Sequence, residues 1–557
     1  MTGDELHERF AALRAIRSPW ETMWSDIAKY VMPRRSPGLN GSVMSPSSGP
    51  EALLFDTTAV RANMTLANGQ LAWMTPLESS WFAFEPPAAK RTEAARVWLT
   101  ECTEIAREAL ASSTFYTAIH EGYLDRGGFG TMCLYIEPGR KSDLNCQHWP
   151  IGTYVIDEDA DGGVDTIIRE FELTARQAVQ KFGEKALSET VKKAASHAQN
   201  CHTKFWFLHA IFPREDSARY KGKKDDTNMP IASMYMERDT KKIVRESGYA
   251  EMPVMVTRYL EWGTGMGGLY GWCPSFAAMP EARQLNFLQE MMDALAEKMA
   301  FPPLLAPDEL EGEIDSNASG VTYFSRELAQ TLPKEWQTAG RYDVGVDRVK
   351  ERQAAINDAF HVDLFQMFAQ IDKQMTAREV AERSSEKLIQ FSPTFARLTG
   401  ELLNPLLERV FGILLRAGKL PPVPEEMIEP ISDTEGFVPP PKIQYTSRIA
   451  LALRSLPSLG WQRTLERLGA TAQMNPGVLD LYDFDKAERS AGLADGIAAE
   501  IIRPEAEVAE MRQARAEAQA AQEQQQQAMM AADAAAKLGK VPAGSPVAQA
   551  FESQIAA

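Results

Sequence analysis

The sequence contains few cysteines for its 557 residues. There are five, far apart in the chain and without a C-x-x-C pair: Cys102, Cys133, Cys146, Cys201 and Cys273. An odd number at such spacing does not fit a disulfide framework and is typical of free thiols in a reducing compartment. We therefore expect this chain to be made in a cytoplasm.

Long apolar runs are also absent. No stretch reaches the roughly 18 uncharged apolar residues that a membrane-spanning helix needs. The chain starts MTGDELHERF, which is acidic and polar, whereas a secretory signal needs a basic start followed by an apolar segment. The sequence therefore predicts a protein without a membrane partner.

Positive charge is in deficit. The chain has 59 Lys and Arg residues against 76 Asp and Glu residues, which gives a net charge of −17. A protein that grips nucleic acid usually shows a basic face to the phosphates. The charge balance therefore argues against tight nucleic-acid binding.

The motifs of several enzyme classes are missing. The stretch GILLRAGKL has the wrong spacing for a phosphate-binding loop, and Leu420 stands where Ser or Thr should hold magnesium. Neither G-x-S-x-G nor H-E-x-x-H occurs. Carboxylates are so numerous that a close pair is more simply explained as a solvated helix face. We expect a protein that is not an enzyme, with no catalytic residue, cofactor or metal.

One glycine motif supports an alternative. Gly263, Gly265 and Gly268 match G-x-G-x-x-G after a strand-like run. In a dinucleotide site the third glycine lies in a helix that holds the pyrophosphate, whereas Tyr270 and Trp272 follow here. We predict a loop at 263–268 and keep a cytoplasmic nucleotide-dependent enzyme as an alternative.

The stretch DEDADG resembles half of a calcium loop. Asp157, Asp159, Asp161 and Gly162 fit its first positions, but Ile168 occupies the twelfth, where a bidentate Glu is needed. Strand-like sequences flank the stretch, so we predict a hairpin turn.

Four possible metal ligands lie close together in the sequence: His197, Cys201, His202 and His209. Their spacing fits no standard zinc site, and His209 lies in an aromatic, strand-like run. We interpret them as solvated or core residues.

The residues that are present indicate a folded, mainly helical α+β chain. Hydrophobic residues make up 44% and charged residues 24%, and the length favours several domains or a protomer buried against copies of itself. Periodicity predicts helices over 4–32, from 57, over 92–111, over 280–300 and over 345–371. Alternating runs predict strands between 133 and 262, with a helix over 175–182.

A long helix is predicted within Gln374–Leu420. Thr376 and Glu379 fit a capping box at its start, while Pro393 and Pro405 should kink or break it. An Ala- and Gln-rich helix over 504–537 has too weak an apolar face for its own core, so we expect it either to pack on neighbours or to fray in solution. Residues 421–441 are predicted to form a proline-rich connector, and residues 540–557 are predicted to be disordered. A helical adaptor without a channel is a second alternative.

Several stretches, in order from about residue 18 to 422, resemble the portal (head-to-tail connector) proteins of short-tailed bacteriophages. They are PWETMWSDIAKYVMPRR, LFDTTAVRANMTLANGQLAWMTPLESSWFAF, GGVDTIIREFELTARQAVQKFG, LYGWCPSFAAMPEARQLN and MTAREVAERSSEKLIQFSPTFARLTGELLNPLLERVFGILLRAGKLP. Trp272 and Cys273 depart from the small or basic residues usual in that family.

The resemblance implies a portal-like protomer in a cyclic ring of about twelve copies. It implies a division into a wing, a helical stem, a clip and a C-terminal crown or barrel. The ranges are 1–278 for the wing, 279–300 and 346–369 for the stem helices, 301–345 for the clip, 370–376 for a channel loop, 377–480 for the rest of the wing and 481–557 for the crown.

The resemblance also implies a function and partners. The ring would stand at one capsid vertex of the virion, after assembly in the host cytoplasm, and double-stranded DNA would pass through it during packaging and ejection. The partners implied are further copies, terminase large subunit, a tail adaptor or head completion protein, and the major capsid and scaffold proteins. The residues implied to face the DNA are Gln370, Asp372, Lys373 and Gln374, with Thr376 and Glu379 as the structural helix cap.

Overall fold

A computed structural model describes most of the chain. The described residues are 1–35, 54–87, 90, 92–139, 141–215, 226–261, 268–300, 304–305, 334–335, 342–370, 391–432, 435–447, 450, 461, 464–469, 471, 476–494, 503 and 505–538. The chain divides into two compact units, Met1–Leu453 and Arg454–Ala557, each described by itself. Among the described residues, no helix is both long enough and apolar enough to span a membrane.

Helices open the first unit and recur through it. They are α1 Gly3–Tyr30, α2 Thr58–Met74, α3 Glu93–Ala111, α4 Phe115–Phe129, α5 Ala175–Phe182, α6 Glu189–Ser196, α7 Pro274–Ala300, α8 Tyr342–Ala359, α9 Val362–Gln370 and α10 Asn404–Arg416. Residues 391–398 are also helical and lead through a π-helical turn, Thr399–Leu403, into α10. The predicted helices over 4–32, 92–111 and 175–182 are confirmed.

A capping box starts α1. The Thr2 side chain accepts a hydrogen bond from the Glu5 backbone at 3.3 Å, and the Glu5 carboxylate accepts one from the Thr2 backbone at 2.8 Å. These bonds satisfy backbone donors that have no partner inside the helix. The helix continues through Pro19, so the predicted helices of this region form one element of 28 residues.

The strands form two main antiparallel sheets. The strands are β1 Phe82–Glu85, β2 Thr131–Pro138, β3 Leu144–Trp149, β4 Tyr154–Glu158, β5 Val164–Thr174, β6 Lys204–Pro213, β7 Ile231–Glu237, β8 Ile243–Tyr249, β9 Val254–Arg258, β10 Leu304–Leu305, β11 Lys334–Glu335, β12 Glu429–Ser432, β13 Glu435–Phe437 and β14 Lys442–Tyr445. One sheet has the order β4-β5-β6-β7-β8 and the other β3-β2-β9. The strands predicted between 133 and 262 are therefore confirmed.

Both faces of the five-stranded sheet are covered by helices. On one face Leu6, Phe10 and Leu13 of α1 pack among strand residues such as Ile168 and Leu208. On the other face α5 and α6 pack on strand residues that include Phe207. Burial on two faces explains why β6 has the nearly continuous apolar sequence KFWFLHAIFP.

The region predicted as a proline-rich connector, 421–441, contains strands. Strands β12 and β13 pair there, and β14 follows. Strand β14 pairs antiparallel with β1, with Phe82 opposite Tyr445. Strand β14 was missed because its partner β1 lies far away in the sequence. Strands β12 and β13 were missed because they are only four and three residues long and Pro430 lies within β12.

Helices α7 and α8 form an antiparallel pair. A Cβ atom on Gly345 would lie 2.1 Å from the Met292 sulfur, so glycine allows close approach at this end. At the other end Arg352 donates to Glu281. The sequence predicted that this helix starts at Pro280, but α7 starts earlier, at Pro274, and continues through Pro280. Pro274 fits this position because a proline is tolerated in the first helical turn.

The helix predicted over 345–371 is two helices. Helix α8 ends at Ala359 and α9 starts at Val362. Between them His361 has a φ of 54°, a left-handed conformation that ends a right-handed helix. Phe360 is fully buried at this break, so packing of its ring stabilises the turn.

The second unit includes α11 Phe484–Ala494 and α12 Glu505–Leu538, besides helical residues at 464–469 and a 3-10 helix, Pro476–Leu481. The helix predicted over 504–537 is confirmed. Arg512 of α12 pairs with Asp485 of α11. The side chains described for α12 are almost all exposed, so the described part of the unit provides little core for it.

Candidate functional surface

The residues predicted to face DNA lie mostly outside the described structure. Gln370 is the last residue of α9. The others fall outside the described residues, as do the two residues of the predicted helix cap: Asp372, Lys373, Gln374, Thr376 and Glu379. These assignments stay predictions, as does the disorder of 540–557.

The glycine motif leads into a turn. Gly263 and Gly265 lie outside the described residues, while Gly268 lies in a turn. A β-bridge joins Leu260, before this turn, to Trp272, after it, and α7 starts only at Pro274. Gly268 therefore does not stand at the start of a helix, where a dinucleotide site needs its third glycine.

The DEDADG stretch forms the predicted hairpin turn. Strands β4 and β5 flank it, and Gly162 has a φ of 83°. The Asp159 carboxylate accepts hydrogen bonds from the backbone N–H groups of Asp161 at 3.0 Å and Gly163 at 2.8 Å. Asp159 thus stabilises its own turn.

His209 is a core residue of β6. Its ring stacks on Tyr235 with 3.8 Å between centroids, and its Nε2 lies 2.9 Å from the Ser233 hydroxyl. Burial, reinforced by nearby cations, holds the pKa of His209 well below 6.5. In the part of the chain that the structure describes, no three His, Cys, Asp or Glu side chains gather as a metal site.

An ion cluster joins β9 to the helical turn before α10. Arg258, which is almost fully buried, pairs with Glu158 and lies 3.0 Å from the Glu401 carboxylate. Arg397 pairs with both Glu401 and Glu261 at 2.7 Å. Sequence patterns did not predict this cluster, because its charged side chains come from parts of the chain that only the fold brings together.

A second joint connects α10 to the end of β8. The Glu251 carboxylate accepts hydrogen bonds from Arg409 at 2.6 Å and from Arg416 at 2.7 Å. Burial alone would raise the pKa of Glu251, but the two arginines outweigh it and hold that pKa below its usual value. A cavity of about 500 Å³ lies beside this joint, lined in part by Tyr249 and Ile413.

Helix α7 carries an exposed apolar stripe. Phe287, Met291 and Met299 are 62%, 55% and 54% exposed. Their spacing by multiples of four places them along one side of the helix. The side that packs into the protomer carries Ala282, Leu285 and Met292 among others. The spacing of apolar residues around the whole helix was the sequence signal that could have predicted this stripe.

A further exposed aromatic residue lies near α7. Phe55 is 47% exposed, and its backbone N–H donates to the Asn286 side chain at 2.8 Å, next to Phe287. Contiguous exposed apolar surface on a folded protomer usually marks a protein interface. The described residues thus give the protomer exposed apolar side chains of the kind that a neighbouring protein chain could cover.

Comparison with known proteins identifies the family. The chain belongs to the bacteriophage head to tail connecting protein family, whose sequence profile matches residues 3–502. The resemblance to portal proteins stated from the sequence motifs is thereby confirmed.

Two relatives match nearly the whole chain. The chain is 32% identical to the probable portal protein of Bordetella phage BPP-1, over 96% of this chain and 95% of the relative. It is 29% identical to the portal protein of Salmonella phage epsilon15, over 98% of this chain and 97% of the relative.

A solved structure was also compared. A chain from the virion of a native gene transfer agent (GTA) particle aligns with 76% of this chain and 88% of its own length. The TM-score of this alignment is 0.34 and the sequence identity is 11%.

Proposed function

We propose that this protein forms the ring-shaped channel at one vertex of a phage capsid through which double-stranded DNA is packaged and later ejected. The observation that carries the proposal is the match to the connector family over residues 3–502, together with two relatives named as portal proteins. The chain acts as a structural conduit, and a separate motor supplies the energy of packaging.

Self-association is the first requirement of a ring. The exposed side chains of Phe287, Met291 and Met299 give α7 an apolar side that no described residue of its own protomer covers. Burying a fully exposed Phe or Met side chain contributes about 1.5–3 kcal/mol, and covering the exposed part of each of these would contribute roughly half of that. We propose that neighbouring subunits cover this stripe in a ring of about twelve copies.

The division into wing, stem and clip belongs to the same proposal. The proposed stem ranges are 279–300, which lies within α7, and 346–369, which takes in most of α8 and α9 with the break at His361 between them. Residues 301–345 are assigned to the clip, which docks the terminase large subunit and later the tail adaptor. Residues 1–278 and 377–480 form the wing, which faces the capsid and scaffold proteins, and 481–557 form the crown.

The charge of the chain suits a channel that DNA must pass without sticking. Each chain carries a net charge of −17. A ring of about twelve therefore carries on the order of two hundred excess negative charges, which repel DNA phosphates at short range. The proposed channel loop, with Gln370, Asp372, Lys373 and Gln374, offers one lysine for weak phosphate contact.

The mass and shape of the purified particle test this proposal. We expect native mass spectrometry to show an oligomer whose mass is about twelve times that of the 61.9 kDa chain. Negative-stain images should show a closed ring with a central hole. Assembly is then repeated with the phage scaffold protein added. A chain that stays monomeric or dimeric at high concentration, even with scaffold, would rule out the ring.

A further inference from the structure

Part of the five-stranded sheet is covered by basic residues, although the chain as a whole is acidic. Residues 175–204, which include α5 and α6, contain six Lys and Arg residues and two Glu residues, a net charge of +4 in a chain of net charge −17. The turn between β7 and β8, residues 238–242, adds three basic residues and one acidic residue. Lys242 of that turn donates to the Leu187 carbonyl at 3.0 Å. We call the two ranges together the basic lobe.

Some cations of the basic lobe have no counterion among the described residues of their own protomer. Lys192 pairs with Glu189 at 2.8 Å, and Lys204 pairs with Glu172 at the same distance. No described carboxylate lies within 4 Å of the charged groups of three further residues, which are all exposed: Arg176, Lys185 and Lys193. These three charges are therefore available to another molecule.

An acidic turn joins the first two strands of the same sheet. Residues 157–165 contain five carboxylates and no basic residue, and we call them the acidic turn. Asp157 pairs with Arg9, and Glu158 pairs with Arg258. The other three carboxylates have no cation within 4 Å among the described residues: Asp159, Asp161 and Asp165.

The carboxylates of the acidic turn act on one another. Burial raises the pKa of Asp165, and the negative charges of Asp157 and Asp159 raise it further. Asp161 is exposed at the tip of the turn. The turn therefore concentrates negative charge that a cationic partner would relieve.

The acidic turn and the basic lobe are too far apart to neutralise each other within one protomer. The Ser188 backbone N–H donates to the Glu237 carboxylate at 2.8 Å, which places the loop between α5 and α6 at the end of β7. Glu237 lies opposite Phe207, and Phe207 lies opposite Phe171, seven residues along β5 from Val164. At about 3.3 Å per residue, the lobe is therefore more than about 20 Å from the turn. Physiological salt screens exposed charges beyond about 8 Å.

We propose that the basic lobe of one copy receives the acidic turn of the next copy in the ring. Contacts in a ring of more than two copies run head to tail, so each protomer must present two different surfaces that complement each other. The lobe and the turn meet that requirement, because they carry opposite charges and lie far apart on one sheet. This inference rests on the self-association proposed above.

The contact sets the orientation of neighbouring copies more than the strength of their association. Among the described residues, neither the basic lobe nor the acidic turn has an exposed large apolar side chain. Complementary charges at an interface mainly speed association and select the correct partner surface. The exposed apolar side chains of α7 remain the proposed source of affinity.

Cross-linking of wild-type rings tests the contact directly. A carbodiimide joins a carboxylate to a lysine amine without a spacer, so it links only groups that touch. We expect mass spectrometry to find peptides that link 157–165 to 175–204, at least about tenfold more abundant in rings than in residual monomer. The separation of more than about 20 Å within one chain means that such a link joins two copies. Rings without this link would overturn the inference and leave the conduit proposal standing, whereas a chain that forms no ring would overturn both.

Charge reversal and rescue give a second test. Lys185→Glu with Lys193→Glu should raise the protein concentration needed for half-maximal ring assembly about tenfold in dilute salt, and much less at 1 M salt, where charges are screened within about 3 Å. The matched control is Lys350→Glu with Lys442→Glu, two exposed lysines outside the lobe.

The rescue variant reverses the acidic turn as well. Adding Ala160→Lys and Asp161→Lys, both at exposed positions, should restore assembly, because every contact then has reversed charges on both sides. A loss no larger than that of the control, or a failure of the rescue, would contradict the pairing of the two surfaces.

Discussion

Gly412 shows how a single residue fixes the joint between α10 and β8. A Cβ at this position would lie 2.4 Å from the Glu251 carboxylate and 3.1 Å from Arg416. Glycine in a helix interior costs about 1 kcal/mol relative to alanine. The chain accepts that cost because the open space lets Glu251 reach Arg409 and Arg416.

We therefore predict that Gly412→Ala destabilises the protomer in spite of alanine's better helix propensity. The expected loss is about 1–3 kcal/mol in the free energy of unfolding, the usual range for overpacking. Gly400→Ala is the matched control, since no atom lies within 4 Å of a Cβ at that position. Urea unfolding of both variants gives the comparison. Equal stability of the two variants would show that the joint is loose.

The stability of the fold should also depend on pH through His209. Its folded pKa is held well below 6.5 by burial and by the charges of Lys181, Arg169 and Arg245. The unfolded chain therefore binds a proton before the folded chain does. The stabilisation by neutral His209 is fully present above pH 6.5 and is lost as the pH falls below that value.

His209→Phe tests this dependence. The variant keeps a ring that can stack on Tyr235 but cannot titrate, and it gives up the hydrogen bond to Ser233. We expect wild type to lose about 1.4 kcal/mol per pH unit more than the variant below pH 6.5. Urea unfolding at several pH values between 5 and 7.5 measures the difference in slope. Parallel slopes would mean that His209 charges without cost.

Among the helices, α7 has apolar residues both on the side that packs into the protomer and on an exposed side. One side packs into the protomer through Ala282, Leu285 and Met292, and the other carries the exposed stripe. Exposed apolar side chains that lie along one side of a helix usually mark a protein interface. We therefore expect another chain to cover this side of α7.

We predict that Phe287→Glu prevents ring assembly without unfolding the protomer. The carboxylate stays hydrated in the monomer, whereas an interface would bury it without a partner at a cost of several kcal/mol. Native mass spectrometry should then show the 61.9 kDa chain. Val97→Glu on α3 is the control, since Val97 is 55% exposed but lies outside the stripe. Rings formed normally by Phe287→Glu would place the subunit interface elsewhere.

The elements also show where sequence patterns succeed. Helix α5 has the predicted bounds, Ala175–Phe182, because its capping residue Thr174 and the following Gly183 are local signals. The break at His361 was missed, since the sequence on both sides favours helix and burial of Phe360 decides the turn. The effect of Pro405 was predicted, but the partner that the irregular turn gives to Glu401 was not.

At the scale of the whole molecule, charge distinguishes a conduit from a DNA-binding protein. We predict that assembled rings bind double-stranded DNA only weakly, with a dissociation constant larger than about 10⁻⁴ M at physiological salt. That affinity is lower than the affinity usual for non-specific DNA-binding proteins. Fluorescence anisotropy with a labelled duplex at two salt concentrations makes the measurement. Micromolar affinity that falls steeply with salt would contradict a channel that repels phosphates.

The sequence by itself determined the helices with clear periodicity, the hairpins and the family, because these depend on residues close together or on motifs in a fixed order. The pairing of β1 with β14, the ion cluster around Arg258 and the burial of Arg126 against Tyr259 became visible only in the folded chain. The same holds for the surface of α7 that is left exposed. The physical reason is that burial and ion pairing depend on which distant segments meet, and a local pattern does not contain that information.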